Sequence, residues 1–273
     1  MPHVSELLTA YDAQVRDRVP DPLPTGVTVE RDGPLVRFFG LFGAGRGGFV
    51  CYRDLDGVDG ANLDELIARQ VRVFAERGER FEWKLHGHDR PPDLSRRLRA
   101  AGFVPEDEET VVIASVDDVA GRPRLPEGVL MREVTERDDL DGVAALEAAV
   151  WGYDDTSRGA SFEAERKADS EGLTFVVAEA GAAIVCAGWV RFERGTDFAT
   201  LWGGATLPSW RGRGIYRATV AYRAKLAAER GFRFIEVDAS ADSRPILQRL
   251  GFVAVTSTTP YVWSPPNVPA GAP

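Results

Sequence analysis

Arg211-Gly212-Arg213-Gly214-Ile215-Tyr216 is the segment in which residue type and spacing speak most directly of chemistry. Its two glycines carry no Cβ to hold backbone N–H groups away from a ligand, and its two guanidiniums offer forked donors matched to phosphate oxygens. At the start of a helix, where the dipole leaves partial positive charge, such a loop would hold an anion, and its length suits a pyrophosphate. The flanks supply the strand and helix this requires. Leu201, Ala205 and Leu207 close an extended, partly apolar run, and Pro208-Ser209 make the turn. From Tyr216 onward Val220, Leu226 and Ala227 recur at helical intervals, with Gly231 placed after Arg230 as a C-terminal cap.

An Arg–Gly string also occurs in solvated loops, in RNA-binding tails and in nucleotide P-loops. No Gly-Lys-Ser/Thr follows here, which removes the P-loop. The string occurs once, inside a strand–turn–helix pattern, which argues against an RNA-binding tail. The plain loop loses ground when the next segment is read. Residues 232–238 pattern as a strand with Phe232, Phe234, Ile235 and Val237, and residues 239–243 form a loop of cap-forming types. Residues 245–250 then read as a short helix opened by Pro245, Gly251-Phe252 ends it, and residues 253–263 supply further strand.

Strand, Arg-x-x-Gly-x-x loop, helix, strand, short helix and Leu-Gly-Phe in that order resemble the GNAT superfamily of acyl-CoA N-acyltransferases. The resemblance covers residues 125–263. It implies that Arg211, Gly212, Arg213, Gly214, Ile215 and Tyr216 bind the pyrophosphate of coenzyme A through backbone amides, and that the strand end at Thr206 and Leu207 pairs with the pantetheine amides. The acyl donor it implies is acetyl-CoA, as a cosubstrate, with no metal. The chain departs from the family twice. Tyr216 stands where Gly or Ala is usual, so its side chain must point away from the phosphates or stack near the cosubstrate. Leu247 stands where the family often has a tyrosine that protonates the departing thiolate, and leucine has no proton to give.

Acyl transfer to an amine needs a base for the nucleophile and donors for the oxyanion. The backbone amide near Thr206 or Leu207 is the expected oxyanion donor. Glu193, Glu236 and Asp238 are the candidate bases, each weighed against an ordinary surface carboxylate. Thr200 and Trp202 share a face with Thr206 if the strand keeps period two. Trp202 and Trp210 flank the loop and are assigned to an acceptor pocket, against the simpler reading of core or wall. His3, His86 and His88 lie outside this half. His86 and His88 with Asp89 lack a further ligand set, so zinc is not expected.

The remaining sequence bounds the partners. A net charge of −9 over 273 residues argues against nucleic acid and anionic membranes, and leaves the coenzyme A anion to be held by local groups. Two cysteines, Cys51 and Cys186, fit a reducing cytoplasm better than a disulfide framework. No signal core or membrane-length apolar run is seen. Residues 116–127 are rich in breakers and read as a linker, and residues 265–273 as a loose tail. Ahead of the phosphate loop, residues 136–151 and 161–169 pattern as helices, 173–180 and 183–192 as a hairpin around Gly181, and 198–206 as the strand that follows.

The first half echoes the second. Residues 63–77 form a helix, 81–85 a strand, 93–100 a short helix, Gly102-Phe103 repeats Gly251-Phe252, and 111–114 are strand. The glycine run 43–48 precedes a strand and reads as a hairpin loop, not a phosphate site. The expected fold is therefore α/β (α+β): tandem GNAT-like domains, each a mixed, mostly antiparallel sheet flanked by helices. Residues 1–118 form a degenerate copy and 125–264 the acyltransferase. The expected activity is transfer of an acyl group, acetyl above all, from coenzyme A to a primary amine by direct attack. The alternative is a non-enzymatic coenzyme A-binding or sensing module. The acceptor is a small-molecule or protein amine, and the sequence leaves it and the oligomeric state open.

Overall fold

Runs of Val, Ile, Phe and Ala with period-two polarity build a sheet, and helices with one apolar face cover it. The computed structural model describes residues 3–41, 47–121, 124–152 and 156–266. The first half contains α1 (Val4–Gln14), β1 (Thr28–Asp32), β2 (Leu35–Leu41), β3 (Gly47–Cys51), α2 (Gly60–Arg77), β4 (Arg80–His86), α3 (Leu94–Ala100), β5 (Val104–Pro105) and β6 (Glu109–Ser115). Helix α2 forms because Leu63, Leu66, Ile67 and Phe74 fall on one buried stripe, and Gly78 in the left-handed region ends it. Of the glycine run 43–48, residues 43–46 lie outside the described residues, while Gly47 and Gly48 open β3.

A short helix α4 (Val116–Val119) leads to the second half: β7 (Val129–Val134), α5 (Arg137–Trp151), α6 (Arg158–Ala168), β8 (Leu173–Ala180), β9 (Ala183–Phe192), β10 (Phe198–Thr206), α7 (Ile215–Glu229), β11 (Phe234–Ala239), α8 (Arg244–Arg249) and β12 (Val253–Trp263). The expected linker thus begins as structure. Val116 and Val119 are buried with Val220 and Ala224 of α7, because two valines three apart give even this short turn an apolar side.

The main difference from a simple tandem lies in the sheet. All described strands join one mostly antiparallel sheet in the order β1-β2-β3-β4-β12-β6-β11-β10-β9-β8-β7, with the short β5 beside β12. Strand β12 of the second half pairs with β4 of the first, and β6 of the first pairs with β11 of the second. The two exchanged strands pair with each other between them. Each half closes the open edge of the other, satisfying backbone groups that two separate sheets would leave bare. Side-chain alternation divides the second half into two faces. Helices α4, α7 and α8 cover Val190, Ala199, Leu201, Ile235 and Val237 on one face. On the other, α5 and α6 cover Phe175, Trp189 and Ala205, and Leu7 and Tyr11 of α1 pack on Phe198 and Phe234.

Candidate active site

The site begins where β10 and β11 part. They pair in parallel only at Phe198↔Phe234, Ala199↔Ile235 and Thr200↔Glu236. Beyond that rung β10 follows β9 and β11 follows β6, so a V-shaped gap opens with Thr200 and Glu236 at its apex. The divergence has a local cause. The β9–β10 register shifts between Trp202 and Ala205, a bulge centred on Gly203-Gly204. Gly203 has φ +63°, and a Cβ there would lie 1.8 Å from the Trp189 ring, so no other residue fits. The bulge breaks period two: Thr200 and Trp202 share a face, while Thr206 turns toward Cys186 on the opposite one, its hydroxyl 3.1 Å from the thiol.

Beneath the bulge lies Arg223, 1% exposed, which the sequence reading passed over. Its guanidinium donates to the Trp189 and Trp202 carbonyls at 3.0 and 3.1 Å, and to Thr219 O at 3.1 Å. Having no salt bridge among the described residues, it serves as a clamp for carbonyls of the bulged ladder. Its one signal in the sequence is a charge set between Val220 and Ala224 on the apolar face of α7.

The backbone presents donors to the gap. Leu207 N–H bonds Val185 O at 3.0 Å, so of the two expected oxyanion donors Leu207 is engaged. Alternation along the antiparallel ladder then turns the Thr206 N–H away from β9, toward the gap. A short 3₁₀ turn, Pro208–Trp210, leads to α7, whose N-cap Gly214 is left-handed at φ +81°. Among the described residues α7 has no side-chain cap bond and no acidic residue in its first turn, leaving its N–H groups open to an anion. A Cβ added at Gly212 or Gly214 would meet no protein atom within 4 Å, so the space above the loop is free for phosphate. Arg211 and Arg213 are exposed beside it. Arg211 Nε bonds Thr206 O at 3.1 Å, and Arg213 lies over the Trp210 ring, 4.6 Å from its centroid. Ile215 is buried and anchors the turn. Tyr216 points down onto the bulge, where a Cβ on Gly204 would come within 2.7 Å of its ring.

The three candidate bases differ in their surroundings. Glu193 accepts from Arg18 Nη1 at 2.6 Å and from Thr200 Oγ1 at 3.0 Å. Asp238 is paired with Lys84. Glu236, at the apex, is 5% exposed, forms no salt bridge among the described residues and has one carboxyl oxygen without a partner. Burial first, and the charge of Asp238 next, hold it well above the usual carboxylate range. Trp202 is 47% exposed on the face of Glu236, whereas Trp210 lies in the 3₁₀ turn beneath Arg213. Leu247 is fully buried among Val237, Phe252 and Val220. The histidines form no part of this site. His3 sits near Ser5 at the start of α1, His86 bonds Tyr11, and His88 bridges Thr256 and Asp12.

Residues 141–252, which span α5 to the end of α8, match the model of the acetyltransferase (GNAT) family. The second half belongs to that family. The matched span holds the bulge, the gap and the Arg211–Tyr216 loop, and by its family the GNAT domain is an acyl-CoA-dependent acetyltransferase domain. Solved structures resemble the whole chain and not the GNAT domain alone. A GCN5-related N-acetyltransferase from Kribbella flavida covers 97% of this chain and 95% of its own at 17% identity, with a TM-score of 0.65. A tandem GNAT protein from the clavulanic acid biosynthesis pathway covers 98% and 96%, also at 17% identity, with a TM-score of 0.63. A GCN5-related N-acetyltransferase from Sphaerobacter thermophilus covers 86% and 78%, at 17% identity and a TM-score of 0.60. At these identities the likeness is one of fold, and it extends the tandem arrangement to both halves. No curated protein matches the chain.

Proposed function

We propose that the protein transfers the acetyl group of acetyl-CoA to a primary amine by direct attack on the thioester. The observation that carries this reading is the gap between β10 and β11, which runs from an uncapped helix N-terminus to a buried carboxyl at its apex. The first-turn amides of α7, with Arg211 and Arg213, would hold the pyrophosphate; the open space at Gly212 and Gly214 fits it. Acetyl-CoA supplies the activated acyl group. Thr206 N–H is aimed to donate to the oxyanion, and Glu236 takes a proton from the acceptor's ammonium so that the free amine attacks the thioester carbon. The C–S bond then breaks to release coenzyme A as a thiolate that solvent protonates.

Direct attack is supported by the two thiols. Burial pushes Cys51 up to about 12 and raises Cys186, which faces α7. Both are free and buried, which suits a reducing, cytoplasmic setting. The acceptor remains an amine of small-molecule or protein origin, and the carboxylates of its face argue against nucleic acid. Millimolar coenzyme A is expected to raise the melting temperature by mass action, and release of free thiol from acetyl-CoA across a panel of amines to exceed background hydrolysis. A folded protein with no thermal shift would refute cosubstrate binding. Thermal shift without amine-dependent thiol release would refute the transfer.

A further inference from the structure

Trp202 is a large indole left half-exposed on the last rung before the bulge, and it is not free to turn. Its Nε1–H donates to Thr200 Oγ1 at 2.8 Å. An indole nitrogen can only donate, so Thr200 must accept there, and its single proton is committed to Glu193 Oε1 at 3.0 Å. The other oxygen of Glu193 is held by Arg18 Nη1 at 2.6 Å, while Arg18 Nη2 reaches Arg194 O at 3.2 Å. The direction of every bond in this chain is therefore fixed, and it starts in the first half. Arg18 belongs to the segment after α1 that straps onto the β9–β10 turn. Gln14 exchanges bonds with Asp197 at 2.7 and 3.2 Å, and Arg194 donates to Asp21 O at 3.0 Å. Arg18 and Glu193 are only 16% and 15% exposed in their side chains, so water competes weakly for the pair.

We propose that Arg18 is a positioning residue for the acceptor: through Glu193 and Thr200 it fixes the Trp202 indole, whose open face takes an ammonium carried on an apolar body. The class of acceptor follows from the surroundings. An indole face attracts cations. On that side of the sheet Glu193 and Asp238 are neutralised by Arg18 and Lys84, and Glu236, without a salt bridge among the described residues, adds to the attraction once ionised. The assignment of Trp202 to the acceptor rests on the proposed acetyl transfer, because it is the gap that brings the thioester to this face. The relay itself is independent of that reading.

The test uses full-length protein labelled with 5-fluorotryptophan, with the six tryptophan resonances observed by ¹⁹F NMR and Trp202 assigned through Trp202→Phe. Phenethylammonium at millimolar concentration is the probe. It is expected to move the Trp202 resonance, and Arg18→Met to shift that resonance and weaken probe binding about five- to tenfold. The other five resonances and coenzyme A affinity should stay unchanged, and Arg18→Lys should recover most of the loss. Thr200→Val cuts the chain without loosening the strap, and should reproduce the Trp202 shift even if Arg18→Met proves unstable. A Trp202 resonance indifferent to Thr200→Val overturns the relay, and one indifferent to phenethylammonium overturns the acceptor assignment. Failure of wild-type protein to bind coenzyme A would instead remove the acetyl-transfer reading while the relay stands or falls on the resonance alone.

Discussion

Glu236 is the proposed base, and a base must be near the reacting nitrogen, free to take a proton and in the right ionisation state. A group held above the usual carboxylate range is protonated at low pH and becomes a base as pH rises, so acetyl transfer should climb with pH above the range in which ordinary carboxylates ionise. Glu236→Gln should lower kcat by about 10²–10³-fold and flatten that rise, while coenzyme A affinity is kept. An unchanged pH profile would assign the limb to the amine itself. At Leu247 the expectation is structural: Leu247→Ala empties a fully buried position and should cost about 2–5 kcal/mol in urea unfolding, with little effect on cosubstrate affinity. The turn and helix start at Arg211–Tyr216 could be read from the sequence because their signals are local. Arg18 and Arg223 could not, since an arginine acquires its meaning from the acceptors it meets. Glu193 is 175 positions from Arg18, and the carbonyls that Arg223 binds are freed only by the bulge.

At the scale of elements, the strand order around the phosphate loop was legible because each piece announces itself by periodicity and by a terminating glycine. The bulge was hidden: Gly203-Gly204 inside an apolar run looks like any flexible pair until the Trp189 ring is seen against it. The same limit applied to the period-two face drawn from Thr200 through Trp202 to Thr206, which holds only as far as the bulge. Helix α7 makes a testable contrast with α2. Both lack a side-chain cap bond among the described residues, but α2 is preceded by Asp54, Asp56 and Asp59, whose charges repel phosphate, and α7 is preceded by Arg211 and Arg213. Gly214→Val forces a β-branched residue to φ +81° and places methyl groups in the anion space. It should cost about 1–3 kcal/mol of stability and at least tenfold in coenzyme A affinity by calorimetry, the second loss marking the loop as a ligand site.

For the whole molecule, the Arg-Gly-Arg-Gly loop occurs once in the sequence and the sheet is shared, so under the proposed function calorimetric titration should give one coenzyme A per chain. In the first half the parallel pairing of β3 with β4 ends at Val50↔Trp83, and beyond it Tyr52 donates to Asp89 at 2.6 Å and Arg16, almost wholly buried, donates to the same carboxylate at 2.6 Å. That the halves are related could be read from the repeated strand–helix–Gly-Phe ending. That they trade strands could not, because a strand's own residues say which face is apolar and leave its neighbour unspecified. Exchange makes the linker a poor place to cut. A fragment starting at residue 125 loses both β6 and β4, leaving β12 without a partner and β11 with only its short pairing to β10, and should aggregate in gel filtration. A fragment starting at residue 107 keeps β6 between β11 and β12 and should be markedly more soluble. Equal solubility would mean the exchange contributes little.

The place of β12 in the sheet also bears on how the chain is made. Among the described strands it is the last to leave the ribosome, yet it sits inside the sheet, between β4 and β6. Until it emerges, the earlier strands wait with two bare edges, and neither half can seal. Synthesis that stops early therefore yields a product marked by its own unfinished edges, open to chaperones and proteases. The strand acts as a keystone, and only a chain translated through it becomes resistant to quality control.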